Sequence, residues 1–246
     1  MLRLVQISDL HLGNDWRRPY RGIDPRQRLL SLLPAMRAFA PQLLVATGDL
    51  VHDQGLAAYH WLAQQLRPVC NTILTAPGNH EQPRALNHEP FISAAATPYQ
   101  TDGWRLLCLN SRWGDRPDGL LGDNELLRLQ QLSGDQPTLV FLHHQPLAVG
   151  TPWIDRFPLL DGPRFVSIVE QLPMVKGVAF GHIHHAWQRS YRHRHSDLTL
   201  YGCPAASINT VPGVRHFTDD QLGPACRWFQ LAPGGLIRSG LLRPAN

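Results

Sequence analysis

The chain is punctuated by short apolar runs, each closed by a polar or glycine-containing turn: Leu2 to Ser8, Leu43 to Thr47, Thr72 to Ala76, Leu106 to Asn110, Thr138 to Leu142, Val175 to Phe180, Leu198 to Gly202, and two more near Trp228 and Ile237. Their length and β-branched content predict strands. Helical patterns lie between several of them. Asp24 and Pro25 read as N-cap and first helical residue of an amphipathic stretch through Leu29, Leu30, Leu33 and Met36, which Pro34 is expected to bend or interrupt. Leu56 to Leu66 and Asn124 to Leu132 read likewise. This alternation predicts a layered α/β architecture with helices packed on sheets. Fewer helices separate the later strands, which predicts a second, more antiparallel sheet. With 246 residues, 43% of them apolar, the chain can fill one large core. No internal repeat, low-complexity tract or long linker divides it, so residues 1–246 read as a single domain.

The polar residues at the ends of these runs carry the chemistry. Five clusters of Asp, Asn and His stand immediately after strand-like segments: Asp9 with His11, Gly48-Asp49, Gly78-Asn79-His80-Glu81, His143-His144, and Gly181-His182-Ile183-His184-His185. Taken singly, each has an ordinary role as a cap, a turn former or a core histidine. Jointly they point elsewhere, because loops beyond the strand ends of an open α/β sheet converge on one crevice. A pair of divalent ions about 3.5 to 4 Å apart needs a bridging carboxylate, neutral imidazoles and an amide oxygen, which is this set of residue types. Asp49 is the bridging candidate. Residues i and i+2 of an extended chain share a side, so Asp9 with His11, and His182 with His184, are expected to reach the ions together. Imidazole mixed with carboxylate suits manganese, iron, zinc or cobalt better than calcium.

The remaining features exclude alternatives. Against 19 acidic side chains stand 23 basic ones, scattered along the chain with no block that would track a long nucleic acid. No run reaches the roughly 20 apolar residues of a membrane span, and the opening Leu2 to Ile7 lacks the features of a signal peptide, so a cytoplasmic protein is expected. Cys70, Cys108, Cys203 and Cys226 form no metal-binding or redox spacing and read as buried free thiols. The segment from Pro146 to Pro163, carrying Trp153, reads as a long surface loop placed to cover a site. The segment Tyr191 to Asp197 reads as a solvated hairpin turn. The string Cys203 to Ser207 lacks the glycine elbow of a serine hydrolase.

The ordered set DLH, GD, GNHE, HH and GHIH, spanning Asp9 to His184, resembles the signature of the calcineurin-like metallophosphoesterases. Within that superfamily the blocks around Asp9, Asp49, His143-His144-Gln145-Pro146 and His182 look most like the bacterial class III cyclic-nucleotide phosphodiesterases. The resemblance implies an α/β/β/α sandwich of two mixed sheets flanked by helices. It implies one metal held by Asp9, His11, Asp49 and His184, and a second held by Asp49, Asn79, His143 and His182. His80 matches the catalytic histidine that faces the phosphate, with Asn79 beside it. His144 is expected behind the metal ligands or on the substrate side, not as a ligand itself, and His185 has no matching role. In phosphoprotein phosphatases an aspartate three residues after the bridging one orients the catalytic histidine. Here that position is His52, which leaves Asp53 as the candidate.

The reaction implied is dimetal hydrolysis of a small phosphodiester, 3′,5′-cAMP to AMP, by in-line attack of a metal-bridging hydroxide on phosphorus, with His80 stabilising charge or protonating the leaving alkoxide. The two ions are expected to be manganese or iron, with zinc or cobalt as further options. Asn110, Trp153, His144 and the loop from Pro204 to Arg215 are expected to build a surface for ribose and base. Two alternatives stand beside this reading: a metallophosphoesterase for another diester or a monoester, and a non-catalytic metal-binding scaffold. The scaffold is disfavoured because every matched ligand and His80 are present.

Overall fold

A computed structural model describes residues 1–245 apart from 16, 54, 82–90, 94–97 and 193–196. Two six-stranded sheets are stacked face to face. The first is built from β1 (Leu2–Ile7), β2 (Leu43–Ala46), β3 (Ile73–Thr75), β4 (Phe91–Ser93), β11 (Cys226–Leu231) and β12 (Ile237–Leu242), in the order β12-β11-β1-β2-β3-β4. The second contains β5 (Tyr99–Thr101), β6 (Trp104–Cys108), β7 (Thr138–Leu142), β8 (Val175–Phe180), β9 (Trp187–Arg192) and β10 (Asp197–Gly202), in the order β5-β6-β7-β8-β10-β9. Helices α1 (Pro25–Phe39) and α2 (Leu56–Leu66) cover the outer face of the first sheet, and α3 (Gly122–Gln130), α4 (Pro152–Asp155) and α5 (Gly162–Val169) that of the second. The α/β/β/α sandwich expected from the sequence is present.

The strands are apolar on both faces because both faces are covered. In β1 and β2, Leu4, Leu43 and Val45 point to the interface between the sheets, where they meet Leu106, Leu139, Phe141 and Phe229. Their neighbours Val5, Ile7, Leu44 and Ala46 point outward to Leu29, Leu32 and Met36 of α1. On the other side, Leu107, Val140 and Val178 pack under Leu126, Leu129 and Phe165.

The sheets depart from one expectation. The second sheet is no more antiparallel than the first: each has three parallel pairings and two antiparallel ones. Its strands β6, β7, β8 and β10 are parallel even where little helix separates them, because β9 turns back along the edge and lets β10 enter beside β8. Helix α1 is not interrupted at Pro34, the stronger of the two effects expected there. The carbonyl that Pro34 leaves without a helical donor belongs to Leu30, whose residue is 44% exposed, so water can satisfy it.

Asp24 does cap α1, its carboxylate accepting from the N–H groups of Arg26 and Gln27. The four cysteines are free, three of them buried and Cys70 half-buried. The turn expected between Tyr191 and Asp197 falls at 193–196, outside the described residues, although β9 and β10 do pair antiparallel on either side of it. The segment Pro146 to Pro163 is not an open surface loop: it contains α4 and buries Val149, Thr151, Trp153, Ile154 and Leu159. Among the described residues no helix is long and apolar enough to cross a membrane.

Candidate metal centre

All five clusters lie beyond the C-terminal ends of parallel strands, β1, β2 and β3 in one sheet and β7 and β8 in the other, and all meet at one end of the sandwich. Their backbone is not extended. Asp9, His11, Asp49, His182 and His184 have φ between 51° and 67°, making five of the nine described non-glycine residues in the left-handed region. Asp and His tolerate that region better than most side chains, and such residues concentrate at functional sites. Tight left-handed turns, not the strand pleating expected from i, i+2 spacing, aim the side chains of Asp9 with His11 and of His182 with His184.

The motif glycines are equally constrained. Gly48 has φ of 86°, and a Cβ there would collide with the Gly78 nitrogen and lie 2.6 Å from His143 Nδ1. A Cβ on Gly181 would collide with Ser8 Oγ and lie 3.0 Å from Asp9 Oδ2. The turns pack so closely that only hydrogen fits between them.

Two sets of ligand atoms result. In the first, His11 Nε2 lies 3.2 Å from His184 Nε2, which is 3.5 Å from Asp9 Oδ1. In the second, His143 Nε2 lies 3.1 Å from His182 Nδ1 and 3.2 Å from Asn79 Oδ1. Asp49 Oδ2 stands between them, 3.8 Å from His11 Nε2 and 3.5 Å from His143 Nε2. Ligand atoms sharing one ion at metal–ligand bonds of about 2.0–2.2 Å lie about 3–3.6 Å apart; every separation except the 3.8 Å between His11 and Asp49 falls in that range, in keeping with a pair of ions and one shared carboxylate.

Hydrogen bonding supports the fit. His143 Nδ1 donates to the Thr47 carbonyl at 2.7 Å and His184 Nδ1 to the Ile208 carbonyl at 2.9 Å, which leaves the Nε2 lone pair of each facing the cluster. Asp9 Oδ2 accepts the His182 N–H at 2.9 Å, while the fully buried Oδ1 has no hydrogen-bond partner among the described residues. Lone pairs and carboxylates converging in a buried place repel one another unless a cation joins them. The charges register this conflict. Burial, reinforced by the Asp49 charge, pushes the Asp9 carboxyl up to about 7. Burial pulls His143 down, yet the Asp49 and Asp9 carboxylates overcome it and raise the imidazole to about 9. Asp49 itself resists burial because His143, His11 and His80 hold it well below the usual carboxylate range.

His80 is set apart from this buried set. Its backbone N–H donates to Asp49 Oδ1 at 3.0 Å, and its side chain, 33% exposed, brings Nε2 to 4.0 Å from Asp49 Oδ2. It borders the cleft over the cluster, about 130 Å³, and an adjoining cavity of about 600 Å³ with which the cleft shares His11, Tyr20, Arg21 and His80.

Several expected roles fall elsewhere. Of the two places expected for His144, it takes the one behind the ligands, its ring 4.8 Å from that of His143 and 4.6 Å from that of His182: it is fully buried, Nδ1 accepts from the Ser111 hydroxyl at 2.8 Å, Nε2 donates to the Pro117 carbonyl at 3.2 Å, and burial beside His143 lowers it to about 3. Asp53 does not orient His80, since its Oδ1 accepts from the backbone and side-chain nitrogens of Asn14 at 2.8 and 3.0 Å. The rings beside His80 are those of His52 and His11, with centroids 4.7 and 5.1 Å away. Asn110 is held by its own turn, its amide oxygen accepting the Arg112 N–H at 3.0 Å. Trp153 does line the cleft, but at 6% exposure it stands edge-on to His184 and Phe217 and offers no open face for a base. The loop from Pro204 to Arg215 backs the cluster: Ile208 supplies the carbonyl for His184, and the Gly213 N–H donates to Thr151 Oγ1, which also meets His185 Nε2 at 3.0 Å.

One role escaped the sequence reading. Glu81, 1% exposed, accepts from the N–H groups of Asp49 and Gly78 at 2.6 Å each and from that of Leu50 at 2.5 Å. It thereby ties the Asp49 turn to the Asn79 turn. Its place directly after Gly78-Asn79-His80 was the available signal. The backbone carbonyls of Thr47 and Ile208 carried none, because every residue has one.

Comparison with known proteins agrees with this geometry. The family model described as calcineurin-like phosphoesterase matches residues 2–186. The chain is 30% identical over 253 residues to the 3′,5′-cyclic adenosine monophosphate phosphodiesterase CpdA of Vibrio vulnificus, covering 100% of this chain and 91% of that one. It is 31% identical over 244 residues to a probable cyclic nucleotide phosphodiesterase of Synechococcus, covering 97% and 91%. Among solved structures, a dimetal phosphatase from Danio rerio shares the fold with a TM-score of 0.67 at 13% identity, covering 99% of each chain.

Proposed function

Because the chain belongs to the calcineurin-like phosphoesterase family, we propose that it hydrolyses 3′,5′-cyclic nucleotides, cAMP to AMP, at the cluster centred on Asp49. The observation that carries this reading is the single Asp49 Oδ2 set between two groups of ligand atoms, 3.8 Å from His11 Nε2 on one side and 3.5 Å from His143 Nε2 on the other. Asp9, His11, His184 and Asp49 would hold one ion, and Asn79, His143, His182 and Asp49 the other. Bound there, manganese or iron ions supply Lewis acidity and an activated water. The mixed imidazole and carboxylate donors favour these metals, with zinc and cobalt as further options.

The chain's own residues do the rest. Glu81 and the left-handed turns fix the ligands before substrate arrives, which avoids reorganisation during the reaction. His80 is tethered through its backbone to Asp49 but exposed at the cleft, the position of a group that donates a proton to the departing alkoxide. The narrow cleft walled by Trp153, Ile154 and Phe157 suits a small diester better than a polymer. Both sheets contribute ligands, so residues 1–246 act as one domain. Four free thiols and the cyclic-nucleotide substrates of the named relatives fit action in the cytoplasm.

The test is hydrolysis of cAMP, cGMP, bis-p-nitrophenyl phosphate and p-nitrophenyl phosphate by manganese-reloaded protein, with His80→Ala as control. Metal-dependent formation of AMP, lost in the variant, is the expected result. Cleavage of the synthetic diester without cAMP turnover refutes the cyclic-nucleotide assignment, and two bound metals without turnover of any substrate refutes the enzyme.

A further inference from the structure

The cleft has a wall that the metal ligands do not explain. Tyr20 and Ile23 exchange backbone hydrogen bonds of 2.9 and 3.0 Å across a two-residue turn, and the residues between them, Arg21 and Gly22, have φ of 48° and 84°. Two consecutive positive φ values define a type I′ turn, whose first central position favours asparagine, aspartate or glycine. Gly22 satisfies the turn. An arginine at position 21 does not: it holds a left-handed backbone that most L residues avoid. Strain retained at one position points to a use for its side chain.

That side chain is exposed but anchored at its guanidinium. Tyr20 stacks on the metal-cluster residue His11, with centroids 4.2 Å apart and planes at 12°. Arg21 Nε donates to Tyr20 Oη at 3.2 Å, and the guanidinium carbon lies 4.2 Å from the centre of the Phe217 ring. Arg21 lines the same cleft as Asp49, Asn79, His80 and His182, and no carboxylate among the described residues pairs with it. Arg112, which borders the neighbouring cavity beside His80, is by contrast bound to Asp115 at 3.0 Å. Arg21 is thus a held cation without an acidic partner, beside a centre built for a phosphoryl group.

We propose that Arg21 is a substrate-binding residue whose guanidinium takes an anionic oxygen of the phosphoryl group seated over the metal cluster. The assignment deepens the phosphoesterase reading and rests on it. A planar guanidinium fork matches two phosphoryl oxygens, or one oxygen and a bridging ester oxygen, in a way that an ammonium does not.

The decisive variant is Arg21→Asn, because asparagine suits the turn and removes the cation without disturbing the fold. Binding of inorganic phosphate to manganese-loaded protein is followed by calorimetry, with metal content and melting midpoint measured on the same samples. Arg21→Asn is expected to weaken phosphate binding about ten- to a hundredfold, the loss typical of a charge-assisted hydrogen bond. Its metal content is expected to be unchanged and its melting midpoint equal to or above that of the parent protein. Arg21→Lys is expected to recover part of the affinity. Phosphate binding by Arg21→Asn within about twofold of the parent, a change too small for a lost charged contact, overturns the proposal. So does loss of metal in parallel with loss of phosphate. A parent protein that binds metals and phosphate but cleaves no ester refutes the catalytic reading while the Arg21 comparison still decides this one.

Discussion

Glu81→Gln tests how the centre is held together, and its effect can be worked from three hydrogen bonds. Glu81 Oε2 accepts from Asp49 N–H and Gly78 N–H, and Oε1 from Leu50 N–H, all three within 2.6 Å in the buried interior. Glutamine retains one oxygen. Its best placement keeps that oxygen on the Asp49 and Gly78 pair and turns the NH2 group toward the Leu50 N–H, donor against donor. One charge-assisted bond is lost and two fall to neutral strength, a loss of about 2–4 kcal/mol. For a chain of this size that lowers the melting midpoint by roughly 5–15 °C. The measurement is thermal or urea unfolding in chelator, so that metal linkage does not contribute, followed by manganese titration. Because Glu81 sets the turn that carries Asp49, metal affinity is expected to fall about ten- to a hundredfold as well. A variant melting within about 2 °C of the parent, with unchanged metal affinity, would show that the three bonds contribute little net stability and that Asp49 is positioned by other means.

Asp49→Ala removes the carboxylate shared by both ligand sets and is expected to lose both metals and all turnover, as read by elemental analysis and assay, whereas His80→Ala is expected to keep its metals and lose about 10²–10⁴ in kcat. Ala40 ends α1 with φ of 51° and ψ of 64°, so Ala40→Gly is expected to raise stability by about 0.5–1 kcal/mol in urea unfolding; a destabilised variant would refute the strain argument. Chelation is expected to lower the melting midpoint and reloading with manganese to restore it, with the metal contributing about 2.7 kcal/mol for each site at a hundredfold excess over its Kd. An unchanged midpoint would mean that the cluster binds no metal in the folded state.

The strands missed in the sequence are instructive. β4, β5 and β9 all lie at sheet edges. The edge strand β9, Trp187–Arg192, has mostly exposed or half-buried side chains where described, and β5 is Tyr99–Thr101 with none buried. An edge strand has one neighbour and needs less apolar surface, so the periodic signal that marks a central strand is weak there. Helices α1, α2 and α3 were legible from amphipathic spacing, with the Asp24 cap marking α1, whereas the short α4 and α5 lie in and just after the segment that reads as a loop. The interior strands were legible because burial on two faces demands continuous apolar runs.

The sequence by itself determined the order of the central strands and of helices α1, α2 and α3, and the seven ligand-type residues placed just after strands, because local burial and turn chemistry are written in neighbouring residues. It could not decide which of these side chains come together, since Asp9 Oδ1 and His184 Nε2 are 3.5 Å apart in space but far apart along the chain. Nor could it decide that His144 is locked between Ser111 and Pro117, that Glu81 joins two turns, or that Arg21 stands over the cleft. Those depend on sheet stacking and on left-handed turns whose shape is fixed by close backbone contact, such as that between Gly48 and Gly78, and a contact between distant residues becomes definite only when the tertiary fold brings them together.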